Sequence, residues 1–121
     1  MKMNENFFIS KAIDPLPYES NWEAPSNIAL IKYWGKKNLQ IPKNPSLSFT
    51  LDKRVTRTSI RFEPSKSGKF NFKFFFNDSL KPDFDDKLHV FFDRIKKYVC
   101  WITNYELTIK SINTFPHSSG I

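Results

Sequence analysis

The stretch from residue 24 to residue 37, APSNIALIKYWGKK, has the pattern of a strand that runs into a turn. Its apolar run Ile28–Ile31 predicts a buried strand extending from Asn27 to Trp34, and Gly35 with the polar residues after it is typical of a turn. Lys32 lies inside this apolar stretch. Because burial of an unpaired ammonium is costly, Lys32 either reaches the surface from the strand end or meets a phosphate or carboxylate.

The sequence predicts four more elements of regular spacing after this strand. Apolar and polar residues alternate over residues 46–62 and again over 69–77, where four phenylalanines share one face, so both segments are expected to be strands. Helical spacing then predicts a helix over residues 84–102, followed by a strand over 105–112. The order β-β-β-α-β indicates an α+β fold, with an antiparallel sheet and one main helix packed on it.

The length of 121 residues corresponds to about one small domain. Prolines and acidic residues predict that residues 1–20 form an irregular leader, ahead of a domain over residues 21–121. Cys100 is the only cysteine, which excludes an internal disulfide and favours a reducing, cytoplasmic compartment. The sequence shows neither a signal-peptide pattern nor an apolar run of membrane-spanning length.

The positive charge of the chain is concentrated in one segment. The net charge is +7, and residues 21–75 hold eleven Lys and Arg against three acidic residues, a local net charge of +8. Such a cluster favours an anionic partner: a nucleic acid, a membrane surface or a phosphorylated small molecule. The alternative is that these basic residues form a solvated face without a partner.

The last residues of the chain form a second candidate site. Pro116, His117, Ser118, Ser119 and Gly120 follow the predicted fourth strand, and small residues of this kind can bring backbone N–H groups close to a phosphate. Ser-Ser-Gly is also common in ordinary loops. No second His or carboxylate at ligand spacing accompanies His117, so no metal site is predicted.

These motifs together resemble a known family. Residues 24–37 resemble the N-terminal signature of the mevalonate-diphosphate decarboxylases of the GHMP kinase superfamily. Residues 41–51, IPKNPSLSFTL, resemble the Pro-x-Asn-Ser-Ser-x-Ser strand entry of that family, with Pro45 in place of the first serine of the pair. Residues 113–121, NTFPHSSGI, resemble the start of its nucleotide phosphate loop, where many members carry Pro-Thr-Ala-Ala-Gly.

The resemblance implies the N-terminal part of the GHMP kinase fold, truncated inside the phosphate loop. It also implies ATP-dependent decarboxylation of mevalonate 5-diphosphate to isopentenyl diphosphate, with ATP and Mg²⁺ as co-substrate. The substrate-binding residues that it implies are Lys32, Tyr33, Trp34, Gly35 and Lys36, and the ATP-binding residues are Ser118, Ser119 and Gly120. The catalytic base and a carboxylate-binding Arg are expected downstream, so the fragment alone is expected to be inactive.

Two alternatives stay open on the sequence. A related GHMP-family kinase or decarboxylase acting on a mevalonate monophosphate would share the Tyr-Trp-Gly-Lys motif. A small basic nucleic-acid-binding domain would share the charge and the aromatic content, although the aromatic residues here lie on core-like faces. The decarboxylase interpretation expects neither a nucleic-acid nor a membrane partner, and it leaves a homodimer open as the state of the complete enzyme.

Overall fold

The computed structural model describes residues 4–38 and 41–116. The main elements, in chain order, are the strands β1 (Tyr18–Ile31), β2 (Leu47–Pro64), β3 (Asn71–Phe76) and β4 (Ser79–Leu80), the helix α1 (Asp85–Ile95) and the strand β5 (Tyr105–Asn113). Short 3₁₀ turns cover Glu5–Phe8, Pro82–Phe84 and Cys100–Asn104. The predicted α+β class is therefore confirmed, with one main helix beside a sheet.

The sheet is mixed, so the expectation of an antiparallel sheet is wrong. The strand order is β1-β2-β5-β3-β4. β3 pairs with β5 in parallel, from Asn71 opposite Glu106 to Phe76 opposite Ser111, and with β4 in antiparallel orientation. Parallel neighbours need a crossover connection, which is usually helical, and α1 lies on the connection from β3 to β5. Alternation within a strand assigns its two faces but not the direction of its neighbour.

The short strand β4 was not predicted. Asn77 and Asp78 join β3 to β4, and both have positive φ values, 47° and 62°. Two central residues in this conformation form the tight hairpin turn that matches the twist of antiparallel strands, and Asn and Asp are among the residues that tolerate it. The Asn-Asp pair was the available signal for this hairpin.

One compact unit comprises residues 1–22 and 58–111. Its core joins β2, β3, α1, β5 and the 3₁₀ turn before β5. The buried core residues are Phe62, Phe72, Phe92, Ile102, Tyr105, Leu107 and Ile109. In α1 the ring of Phe92 lies 5.0 Å from that of Phe70 and 5.3 Å from that of Phe72, measured between centroids. The phenylalanine face of β3 is thus core, which follows from its period-two pattern.

The helix α1 is shorter than predicted. It has Asp85 and Asp86 in its first turn, where the helix dipole favours acids, but it ends at Ile95 and not at Ile102. The N–H of Tyr98 donates to the carbonyl of Ile95 at 2.8 Å, a tighter spacing than the α-helical one. A 3₁₀ turn then buries Ile102. Apolar spacing over 96–102 cannot distinguish this tightened turn from a continuing helix.

The N-terminal segment of the same unit is attached to the core by hydrogen bonds. Ser10 donates from its backbone N–H and from its hydroxyl to the carbonyl of Tyr98, and the hydroxyl of Tyr105 bonds both the N–H and the carbonyl of Leu16 at 3.0 Å. A hydrogen bond from Tyr98 and the neighbouring ammonium of Lys97 lower the pKa of Glu5. The first strand then begins at Tyr18, earlier than the sequence pattern indicated.

The other compact unit comprises residues 23–57 and 112–121, described up to residue 116. Among its described residues Val55 alone is buried. Val55 and Thr114 exchange backbone and hydroxyl hydrogen bonds at 2.9–3.0 Å. The run Ile28–Ile31 forms the end of β1 as a strand, but Leu30 and Ile31 are 66% and 55% exposed, so the prediction that this run is buried is wrong for this chain.

Candidate functional site

The segment Lys32–Lys36 directly follows β1 and is exposed throughout. Lys32 lies one residue beyond the strand end, so the premise that it stands inside a buried strand is wrong. Its ammonium reaches solvent without crossing a core, which makes it accessible to a soluble anion. Tyr33 is 40% exposed and Trp34 is 83% exposed, so aromatic surface accompanies the lysines.

A glycine in the left-handed region turns the chain after Trp34. Gly35 has a φ of +86°, a conformation in which a side chain is strained. A Cβ built there would lie 3.5 Å from Cδ of Lys43 and 3.9 Å from its Nζ. The requirement for glycine is therefore conformational, and a third lysine lies in van der Waals range of the turn.

Backbone hydrogen bonds close the loop that follows the glycine. The N–H of Lys43 donates to the carbonyl of Gly35 at 3.1 Å, and the N–H of Lys37 donates to the carbonyl of Ile41 at 2.6 Å. Lys36 and Pro42 form an antiparallel bridge. The loop thus returns on itself and brings residues 41–44 next to residues 32–37.

Asn44 connects the two sides of this loop through its side-chain amide. Its Oδ1 accepts from the N–H of Trp34 at 2.6 Å. Its Nδ2 donates to the carbonyl of Lys32 at 3.3 Å and to that of Pro45 at 2.9 Å. The sequence analysis assigned no role to Asn44, although its position between Pro42 and Pro45 in the second family motif was the available signal.

Two lysine side chains lie close to Tyr33 and Gly35. Nζ of Lys36 lies 5.8 Å from the centroid of the Tyr33 ring, within the range of a cation–π contact. With Lys43 beside Gly35, the loop presents lysines from both of its sides. Ammonium groups and backbone donors in this arrangement suit a phosphorylated anion.

The predicted ATP-binding residues Ser118, Ser119 and Gly120 lie outside the described residues, as does His117. His89 is described, and its ring lies 4.7 Å from that of Phe72, which fits a structural role on α1. Within residues 4–38 and 41–116, no three His, Cys, Asp or Glu side chains come together to hold a metal ion. The same residues include no helix that is long and apolar enough to cross a membrane.

The α+β fold and the lysine loop define a recognised class of domain. Residues 24–121 match the family model of the diphosphomevalonate decarboxylase-like N-terminal domain. The chain belongs to this family.

Individual curated proteins that are similar to this chain are also diphosphomevalonate decarboxylases. A diphosphomevalonate decarboxylase from Aspergillus fumigatus is 51% identical over 47 residues, which are 37% of this chain and 12% of that protein. One from Danio rerio is 50% identical over 46 residues, which are 36% and 12% of the two chains. The match to these curated relatives therefore spans about an eighth of their length.

Solved structures extend the similarity over most of the chain. A mevalonate diphosphate decarboxylase from Staphylococcus aureus superposes with a TM-score of 0.73 at 30% identity, covering 88% of this chain and 31% of that one. The decarboxylase from Enterococcus faecalis, with its mevalonate diphosphate-mediated ATP binding mechanism, superposes at 0.72 and is likewise 30% identical, covering 88% and 32%. Another such neighbour is a complex with MVAPP, AMPPCP and magnesium. The predicted N-terminal part of the GHMP kinase fold is confirmed.

Proposed function

We propose that this chain supplies part of the mevalonate 5-diphosphate site for an ATP-dependent decarboxylation that yields isopentenyl diphosphate. The observation that carries the proposal is an exposed loop in which Lys32 directly precedes Tyr33 and the ammonium of Lys36 lies near the Tyr33 ring. It lies in the matched family domain, and structural neighbours bind mevalonate diphosphate and an ATP analogue. A diphosphate is a compact polyanion, for which several ammonium groups on one loop are suitable ligands.

The contribution of these residues is positioning and charge stabilisation. Phosphoryl transfer depends mainly on positioning and charge stabilisation, because the phosphoryl group and its acceptor carry out the covalent chemistry themselves. Lys32 and Lys36 would neutralise the diphosphate and hold the substrate in place, and the aromatic face of Tyr33 would border it. ATP and Mg²⁺ are proposed as co-substrate. Magnesium in such sites is commonly held by substrate phosphates and only one or two carboxylates, so the absence of a three-ligand cluster within the described residues is compatible with it.

The proposal is tested by titrating the chain with mevalonate 5-diphosphate and following the amide of Gly35 and the indole of Trp34 by ¹H–¹⁵N NMR. We expect binding at this loop, and Lys32→Ala should weaken it about tenfold or more, because a charge-assisted contact contributes roughly 1.5–3 kcal/mol. Lys73→Ala is the matched control: it removes one exposed lysine of β3 in the other unit. Equal affinity of wild type and Lys32→Ala would contradict the assignment.

Two further titrations separate the alternatives. Mevalonate 5-phosphate should bind more weakly than the diphosphate, and the reverse order would favour the monophosphate-acting relative. A single-stranded oligonucleotide that bound with a steep salt dependence, while the diphosphate did not bind, would favour a nucleic-acid-binding domain.

A further inference from the structure

Among the described residues, the side chain of Asn44 makes three hydrogen bonds, and two of them go to the backbone of the candidate site. It accepts from the N–H of Trp34 and donates to the carbonyl of Lys32, ten and twelve residues earlier in the chain. The two bonds bracket Tyr33. The third goes to the carbonyl of Pro45 and fixes the amide from the other side. Asn44 is half-buried, whereas Lys32 and Trp34 are exposed.

The chemistry of this position calls for a primary amide. One group must accept from an N–H and another must donate to carbonyls at the same time, which a carboxylate or a hydrocarbon cannot do. Lys32 and Trp34 lie beyond the end of β1. Asn44 therefore provides, from a side chain, the kind of backbone pairing that a strand partner provides within the sheet.

We infer that Asn44 is a positioning residue for the diphosphate-binding segment, an inference that rests on the proposed function. By fixing the backbone on both sides of Tyr33, it sets the directions in which the side chains of Lys32 and Tyr33 project from the backbone. A segment that is ordered before binding does not lose that conformational entropy on binding, so the diphosphate binds more tightly. The amide itself need not touch the ligand.

The experiment uses the whole chain and its Asn44→Ala variant, with mevalonate 5-diphosphate as the probe. The first readout is hydrogen exchange of the Trp34 amide without ligand, which should be faster in Asn44→Ala. The second is the dissociation constant, measured well below the unfolding temperature of either protein, which should rise about fivefold to tenfold, as expected from the loss of a hydrogen bond that orders the site. Asn71→Ala is the matched control, because Asn71 bonds the N–H of Phe72 at 2.8 Å in the other unit. It should leave both readouts unchanged.

The possible results distinguish a failure of the positioning role of Asn44 from a failure of the proposed diphosphate binding. If Asn44→Ala melts at a lower temperature but binds the diphosphate as tightly as wild type, Asn44 is only structural and the inference is overturned. If the Trp34 amide exchanges faster in the variant while wild type binds no diphosphate, the proposed function is overturned and the ordering of this segment by Asn44 is supported. If Asn44→Ala does not fold, Asn44→Gln places the same groups one methylene farther out. It should bind at least about threefold more weakly, and unchanged affinity would overturn the inference.

Discussion

In the part of the chain that the structure describes, two glycines have a positive φ and differ in their surroundings, which makes them a matched pair of test sites. Gly35 has a φ of +86° with the Lys43 side chain 3.5 Å from a built Cβ, whereas Gly68 has a φ of +67° with nothing within 4 Å. Substitution by alanine strains the backbone at either site by about 1–2 kcal/mol. Only at Gly35 does the added methyl group also meet a neighbouring lysine side chain, at ordinary van der Waals distance.

Gly35→Ala is expected to reduce the free energy of unfolding about as much as Gly68→Ala, because both glycines have a positive φ. Because Gly35 lies in the lysine loop, its substitution should also weaken diphosphate binding. Gly68→Ala should reduce stability alone. Urea denaturation and diphosphate titration of the two variants measure both quantities. Unchanged diphosphate affinity in Gly35→Ala would show that the turn at Gly35 does not shape the site.

At the scale of the elements, α1 and β3 hold the phenylalanine core together. Phe92 is 7% exposed, and its neighbour in sequence, Phe91, is 51% exposed. Phe92→Ala should cost about 3–5 kcal/mol, because it removes a buried ring and leaves a cavity beneath β3. Phe91→Ala removes the same number of atoms from the surface of the helix.

Equilibrium denaturation followed by circular dichroism compares the two helix variants. We expect a large loss of stability for Phe92→Ala, up to unfolding at room temperature, and a loss of less than about 1 kcal/mol for Phe91→Ala. Similar losses for both would mean that the helix presents a different face to β3.

The elements also show what the sequence could and could not predict. Period-two and helical spacing correctly assigned the core faces of β3 and α1, because burial of one face imposes these patterns. The parallel β3–β5 pair was missed because strand direction is set by the crossover through α1 and leaves no mark in the alternation of β5. The exposure of Ile31 was missed because an apolar run reports a tendency to be buried and not the presence of a partner. The lysine segment was predicted as a site from its motif. The hydrogen bonds of Asn44 to backbone groups ten and twelve residues away are a pairing that spacing alone does not reveal.

At the scale of the whole molecule, the chain covers about a third of the solved decarboxylases that it resembles. The purified 121-residue chain, supplied with ATP, Mg²⁺ and mevalonate 5-diphosphate, is expected to release no phosphate above the uncatalysed background. The physical reason is that catalysis requires donors placed around the transition state from all sides. Phosphate release at a rate similar to that of the Staphylococcus aureus enzyme would show that the matched third is sufficient.

The exposed apolar residues of the unit that contains residues 23–57 predict self-association. They include Leu30, Ile31, Leu47 and Phe49, each about half exposed or more. The phenylalanine face of β3 belongs to the core and is not part of this exposed surface. Apolar surface of this kind favours association, so the average mass in sedimentation should rise with concentration.

Leu30→Lys is expected to reduce this association, because it places a charge among the apolar residues. Leu80→Lys, at a similarly exposed leucine of β4 in the other unit, is the control and should leave the association unchanged. An equal effect of both substitutions would indicate that net charge, and not this surface, governs the association.

The attachment of the N-terminal segment also has a consequence during synthesis. Leu16 finds its hydrogen-bond partner in Tyr105, 89 residues later. At a translation rate of about 5–20 residues per second, the ribosome needs roughly 4–18 s to make the intervening chain. During that interval Leu16 has no access to Tyr105. The phenylalanines of β3 are also made before α1, which packs on them, and before β5, which pairs with β3. The order of synthesis therefore exposes the phenylalanines of β3 on the nascent chain until α1 has been made. A chaperone would be of most use to the nascent chain during this period.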